Sequence, residues 1–579
     1  MKRYHNYEKR PKVKVKGFDQ EVWDVTQDIC SILKEKLDSK KKTQVVLTVE
    51  CYPGVRKEEI KELLSGLEAE LWLDADALAY EGRDLDERMQ RELTDDRVFG
   101  IYTTHGLKDY FIEEKVEEAV RQISKTSGLT VVCGTGASLI CEGDVLLYCD
   151  MARWEIQKRY RAGMSNWNTE NSDAPILSKY KRGFFIEWRL ADQRKKQLLD
   201  QIDFLLDTNT SGHPHLLSGD AFREGLRQAA QQPFRVVPYF DPGVWGGQWM
   251  KEVCGLNPEE ENYAWSFDGV PEENSLLLDF GGREVEIPAI DLVFYRPHEL
   301  LGEHVHARFG TEFPIRFDLL DTMGGQNLSL QVHPLTEYIQ DKFNMRYTQD
   351  ESYYILDAEE KDTYVYLGLK EGIDPAAMGR DLKAAQDGSI RFPAEEYVNK
   401  IPVKKHDHVL IPAGTVHCSG AGTMVLEISA TPYIFTFKLW DWDRLGLDGL
   451  PRPTHIEHGL ANIQWDRDTE WVKEHLIDQV EVLAEEEGLR MEKTGLHDRE
   501  FIETTRVWME KEVRMETKDS VNVLNLVEGK SITVESTDGA FAPYEVHYAE
   551  TFIIPAAVKE FILRPKTGEA AAVICANVR

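Results

Sequence analysis

Hydrophobic and polar positions change rhythm part-way along this chain. From Gln20 to Leu37 apolar residues (Val22, Ile29, Ile32, Leu33, Leu37) recur at helical spacing. The apolar run 44–49 then predicts a buried strand, followed by a helix over about 58–67. Further strands are predicted over 69–73, 98–102 and 129–133, with helices over 109–123 and about 151–161. Amphipathic helices follow over 191–206 and 219–232. Alternating strands and helices imply a parallel sheet covered on both faces. Pro233 to Pro238 marks a boundary, and beyond it short strands separated by turn residues predict a barrel or sandwich. A helical insertion is expected over 374–387 and a helix over 471–488. Short strands follow near 521–529, 550–556 and 571–575. The expected division is 1–232 as an α/β domain, 233–470 as a metal-binding barrel and 471–579 as a second barrel. Residues 1–20, polar and basic, read as a loosely held arm.

The chemistry is concentrated between Met323 and Glu427. Ser329, Gln331 and His333 alternate with Leu330 and Val332, so an extended strand sends the three polar side chains to one face. Glu351 enters an aromatic strand, Glu351-Ser352-Tyr353-Tyr354. The apolar run Val409-Leu410-Ile411 meets a turn at Pro412 and Gly414, with His417 just past it. One amide oxygen, two imidazoles and one carboxylate form a donor set that suits zinc with an open coordination position. Fe(II), Mn and Co would accept the same set. Singly, each residue is as readily a strand polar group bonded to backbone.

In combination these motifs resemble a known family. Pro-x-Gly-x-x-His, from Pro412 to His417, is similar to the second signature of the cupin barrels. Gln331-x-His333-Pro334, then Glu351-x-x-Tyr354, then that signature, resembles class I (zinc-dependent) mannose-6-phosphate isomerase. Val244-Trp245-Gly246-Gly247, Ala264-Trp265-Ser266, Glu427 and the run from Lys438 to Arg444 extend the resemblance. It implies that Gln331, His333, Glu351 and His417 hold the metal, Zn2+ or another divalent ion. It implies Glu427 as acid/base or orienting carboxylate. Lys438 stands where the family carries a catalytic arginine, and this exchange of a rigid fork for a point charge is not conservative. Ser329, Trp265 and Arg452 are the implied substrate contacts. The family's lysine two residues before the ligand glutamate is Gln349 here, so Arg346, Arg452 or Lys438 would have to supply charge for a phosphate. His406 and His408 read as turn or surface residues. The C-terminal strands resemble a second cupin barrel without ligands, since Pro555 leads to Glu560 with no histidine between, and His547 reads as surface.

Near the N-terminus, strand, Gly-bearing loop, Lys57 and helix follow the layout of a P-loop. The loop is degenerate. Cys51 and Arg56 stand where glycines would let backbone N–H groups wrap a phosphate, and Glu58 stands where a hydroxyl would meet magnesium. The domain faintly resembles the nucleoside-kinase branch of P-loop folds. Gly134-x-Gly136 would suit either an anion cradle or a tight turn. Arg153, Lys158, Arg159 and Arg161 read as a solvated basic face.

Composition narrows the partners. With 69 basic against 101 acidic residues, the net charge of -32 argues against nucleic acid and anionic membranes. Eight cysteines without Cys-x-x-Cys spacing suggest reduced thiols, with Cys418 in a core. No apolar leader and no run of 18 apolar residues are seen, so a cytoplasmic protein acting on a small sugar or sugar phosphate is expected. Oligomeric state is not set by the sequence. Two functions fit: a metal-dependent isomerase of mannose-6-phosphate and fructose-6-phosphate, or of a related sugar, working through an enediol; and a non-catalytic, metal-containing sugar-binding or regulatory cupin protein.

Overall fold

The apolar runs pair into sheets belonging to two units that interleave along the chain. A computed structural model describes residues 4–430, 434–447, 449–498, 500–566 and 568–579. One unit comprises residues 12–229 and 275–296, and the other residues 1–11, 230–274 and 297–579. Residues 275–296, inside the range assigned above to the middle domain, therefore cluster with the N-terminal unit. Among the described residues no helix is long and apolar enough to cross a membrane.

The N-terminal unit is built on a seven-stranded sheet. Its five parallel strands are, in spatial order, Phe204–Asp207, Val145–Asp150, Gln44–Cys51, Gly128–Gly134 and Leu71–Asp74. Leu47 and Val49 point to a face covered by Ile29, Leu33 and Ile60, whereas Val46 and Val132 meet Ala119 and Ile123 on the other. Burial on both faces explains why the strands read as continuous apolar runs. The hairpin of Ser275–Phe280 and Arg283–Pro288 pairs with Lys12–Lys14 as a separate sheet of this unit.

At the degenerate loop's Lys57 and at the separate Gly134-x-Gly136 turn, the chain's own carboxylates occupy the candidate anion-binding groups. Lys57 pairs with Asp74 at 2.8 Å and Asp76 at 2.5 Å. Glu50 accepts the N–H groups of Gly136 and Ser138 at 2.6 and 2.8 Å, and Asp76 accepts that of Thr135 at 2.9 Å.

The second unit carries both β-rich regions. In the first region, one sheet runs in spatial order His408–Ile411, Glu351–Ala358, Thr423–Ala430, Ile315–Asp321, Trp265–Gly269 and Tyr239–Asp241. The other runs Val398–Pro402, Tyr364–Leu369, His417–Ser419, Leu330–Val332 and Phe437–Trp440. The C-terminal region repeats the plan with six and four strands, and its interior is filled by apolar side chains such as Leu524, Phe552, Phe561 and Leu563. His547 there is three-quarters buried and lies 3.1 Å from Glu550.

Several local expectations are corrected. Residues 98–102 form no strand, because Asp96 Oδ1 accepts the N–H groups of Val98 and Phe99 and turns the chain. The predicted helix over 191–206 is the helix Trp188–Leu198 followed by the strand Phe204–Asp207, a short apolar run whose period is ambiguous. The predicted helix over 471–488 ends at His475. Glu481–Glu486 is a strand that turns at Glu487-Gly488 and pairs with Leu489–Gly495. Arg153 and Arg159 are buried rather than solvated: Arg153 pairs with Asp192, and Arg159 donates to the carbonyls of Gly54 and Thr208. The N-terminal arm is tied down from Tyr4. The buried Tyr7 hydroxyl donates to Asp268, and Asn6 donates to the Lys530 carbonyl at 3.0 Å. Arg235 lies over the Tyr7 ring at 4.8 Å and pairs with Glu550 at 2.8 Å.

Candidate metal centre

Strand register brings the predicted donors together. Gln331 stands opposite His417 on one side and Lys438 on the other, so the three side chains share one face. On the facing sheet Glu351 stands opposite Ser429, which stands opposite Arg316. One step along, Tyr353, Glu427 and Asp318 form the next row.

At the centre, Glu351 lies between two imidazoles: Oε2 is 3.0 Å from His333 Nε2, and Oε1 is 2.9 Å from His417 Nε2. All three residues are fully buried. Among the described residues this is the one group of three such side chains whose ligand atoms lie within 4.8 Å of one another. Each histidine is oriented from behind, His333 Nδ1 being 2.9 Å from the Phe435 carbonyl and His417 Nδ1 2.9 Å from that of Thr415. A carbonyl can only accept, so each Nδ1 carries a hydrogen, and each Nε2 faces the carboxylate, donating to it when the ring is protonated and free to ligate a cation when the ring is neutral. His333 Nε2 and Glu351 Oε1 correspondingly make no well-formed hydrogen bond. With neutral rings, two imidazole nitrogens and a carboxylate converging in one buried spot are donors of electron pairs that suit a divalent ion, and the residues fit one.

Gln331 completes the set from the side. Its Nε2 is 3.1 Å from His417 Nε2, and its Oε1 accepts from the Ser329 hydroxyl at 3.0 Å. A half-turn of the amide would present the oxygen instead.

Electrostatics separates the two carboxylates. Burial alone would raise Glu351, but His333 and His417 in their protonated form hold it well below the usual carboxylate range. Burial, then the charge of Glu351, pushes Glu427 up to about 7 against the pull of Arg316 and His333. Glu427 Oε1 accepts from Ser429 at 3.0 Å and from Gln349 at 3.3 Å, and lies 3.5 Å from Arg316 Nη1. One of a pair of neighbouring carboxylates is thus kept ionised, and the other is poised to exchange a proton near neutrality.

The remaining predicted residues lie further out. Trp265 packs edge-on against Trp245, with ring centres 4.6 Å apart. Arg452 donates to Asp441 at 2.7 Å, and Arg444 pairs with the same carboxylate. Arg346 is three-quarters exposed and pairs with Glu312 at 3.4 Å. His408 is buried, contrary to expectation, with Nε2 2.8 Å from the Ser352 hydroxyl; His406 occupies a left-handed turn. Sequence reasoning missed Arg316, Asp318 and Tyr353. Their signal was available, since Arg316 and Asp318 alternate with Ile315, Phe317 and Leu319 just as the donors alternate around Leu330.

A family model described as a domain of unknown function (DUF8485) matches residues 26–231. Mannose-6-phosphate isomerase ManA of Bacillus subtilis is 26% identical over 234 residues, covering 40% of this chain and 68% of the relative. Mannose-6-phosphate isomerase of Streptococcus mutans is 26% identical over 222 residues, covering 38% and 63%. The solved mannose 6-phosphate isomerase of B. subtilis aligns with 60% of this chain and all of its own at a TM-score of 0.49 and 19% identity. The chain thus matches about two thirds of the length of these curated relatives, and over that part it is similar to mannose-6-phosphate isomerases.

Proposed function

We propose that the chain is a metal-dependent aldose–ketose isomerase, interconverting mannose-6-phosphate and fructose-6-phosphate or a related sugar pair. The observation that carries this reading is the buried His333–Glu351–His417 cluster, with both Nε2 atoms within 3.0 Å of one carboxylate and a second buried carboxylate, Glu427, on the neighbouring strand. Similarity to curated isomerases supports it independently.

His333, Glu351, His417 and Gln331 would hold the divalent ion, which when bound supplies Lewis-acid stabilisation of the oxyanion that develops during enolisation. Glu427 takes the proton from one of the two reacting carbons and returns it to the other, for which a group titrating near 7 is matched. Lys438, on the Gln331 face, balances negative charge on the substrate oxygen as a point charge. Ser329, Trp265 and Arg452 complete the substrate contacts. For the N-terminal unit we propose a structural role, because Lys57 of the degenerate loop is paired with Asp74 and Asp76, and Glu50 takes the N–H groups of Gly136 and Ser138 in the separate glycine turn.

A coupled assay on mannose-6-phosphate, run beside free mannose and other aldoses, tests the proposal. Turnover that chelation abolishes is expected. No turnover of any of them by metal-loaded protein would overturn it in favour of a non-catalytic sugar-binding role, which the Lys438 exchange favours.

A further inference from the structure

Gln349, read from sequence as a lost cation, has a different part in the structure. It lies two residues before the ligand Glu351 and is 3% exposed. Its Nε2 donates to Glu351 Oε2 at 3.0 Å and to Glu427 Oε1 at 3.3 Å. Both hydrogens of one amide nitrogen are thereby committed to two carboxylates on neighbouring strands. The amide oxygen finds no donor. Turning the amide over would face that oxygen to both carboxylates, so the observed orientation is forced. An unsatisfied buried carbonyl is costly, and the bridge is held against that cost.

Resting on the isomerase reading, we infer that Gln349 is a positioning residue, a neutral clamp that fixes the acid/base Glu427 against the metal-ligating Glu351. The two carboxylates repel one another. A double donor without charge satisfies both and leaves each charge in place. The rest of the surroundings of Glu427 make the clamp the adjustable element. Tyr353 flanks it from the Glu351 strand, and Arg316 and Asp318 from the strand on its other side. Ser429 donates to it from its own strand, and His333 faces it from the opposing sheet. Among these, Arg316 is already paired with Asp318.

The test compares Gln349→Met and Gln349→Lys with the wild type for metal content, kcat, KM and the pH profile of kcat, on whichever aldose the wild type turns over. Both variants should retain one metal per chain. In Gln349→Met, kcat should fall about tenfold with KM changed less than about threefold, and the acid limb should move to higher pH as Glu427 loses a donor. In Gln349→Lys the limb should move to lower pH. A purely structural role would not move the limb in opposite directions. Limbs that stay in place or move together, or kcat of Gln349→Met within about twofold of wild type, overturn the inference and leave the isomerase reading intact. If Gln349→Met loses its metal or its fold, the direction of the limb in Gln349→Lys decides alone. A metal-loaded wild type that turns over no aldose overturns both.

Discussion

Replacing Arg316 by Met perturbs the acid/base without touching a proposed metal ligand. Arg316 Nη1 lies 3.5 Å from Glu427 Oε1, and both side chains are buried. At an effective dielectric constant of about 20 the Coulomb attraction at that separation is about 5 kcal/mol. Part of it is offset by the pairing of Arg316 with Asp318, and an opposite charge at this range typically lowers a carboxyl by about 1–3 units. Removing the guanidinium should therefore raise the acid limb of kcat by about 1–3 units from its wild-type position. Activity on the acid side of the profile should then fall and return in alkaline buffer. Return at high pH separates a shifted proton affinity from a damaged site. Because the substitution leaves Asp318 buried without its cation, Arg316→Met/Asp318→Asn serves as the control that preserves packing. The assay is the coupled isomerase reaction followed across the pH range at saturating substrate. An acid limb that stays in place, or moves to lower pH, would refute Glu427 as the titrating group.

Three further outcomes follow from particular contacts. Arg235→Met strands Glu550 and Asp268 beneath the N-terminal strap, and breaking a buried pair costs about 3–5 kcal/mol. Over a unit of roughly 340 residues this lowers Tm by about 4–7 °C, and calorimetry showing less than about 1 °C would contradict the role given to the strap. His408, buried and pushed down to about 3 by desolvation and then by Arg506, stays neutral in the fold while the unfolded chain takes up a proton below its ordinary value near 6.5. Its contribution is intact above that value and declines as pH falls, by about 2 kcal/mol between pH 7 and 5. His408→Asn should flatten that slope in urea titrations, and an unchanged slope counts against it. Magnesium ATP should leave Tm unchanged, since Lys57 of the degenerate loop is already paired with Asp74 and Asp76; stabilisation of about 2–3 kcal/mol, as a ligand at 100 times its Kd would give, would show nucleotide binding.

The donor positions were legible because period-two alternation is local: Gln331 and His333 share a face whatever they pair with. Parallel-sheet strands were legible for a related reason, since burial on both faces leaves a continuous apolar run such as Gln44–Cys51. Segments whose fate depends on a turn were not. Glu481–Glu486 became a strand because Glu487-Gly488 closes a hairpin, while its own charges suited a helix equally well. The tie of Tyr7 to Asp268 spans 261 positions and no local pattern encodes it. Gln349 shows the converse limit. Its residue type signals a missing charge, but its part follows from two carboxylates that reach it from Glu351 and, 78 positions away, Glu427.

Elemental analysis of the purified wild type beside His417→Ala, with circular dichroism to follow the fold, reaches the proposed centre most directly. The wild type should carry close to one divalent ion per chain, and the variant should lose it while keeping its secondary structure. A variant that keeps the ion, or a wild type that takes none from buffer supplied with zinc, iron, manganese or cobalt, would contradict the assignment of His333, Glu351 and His417 as its ligands.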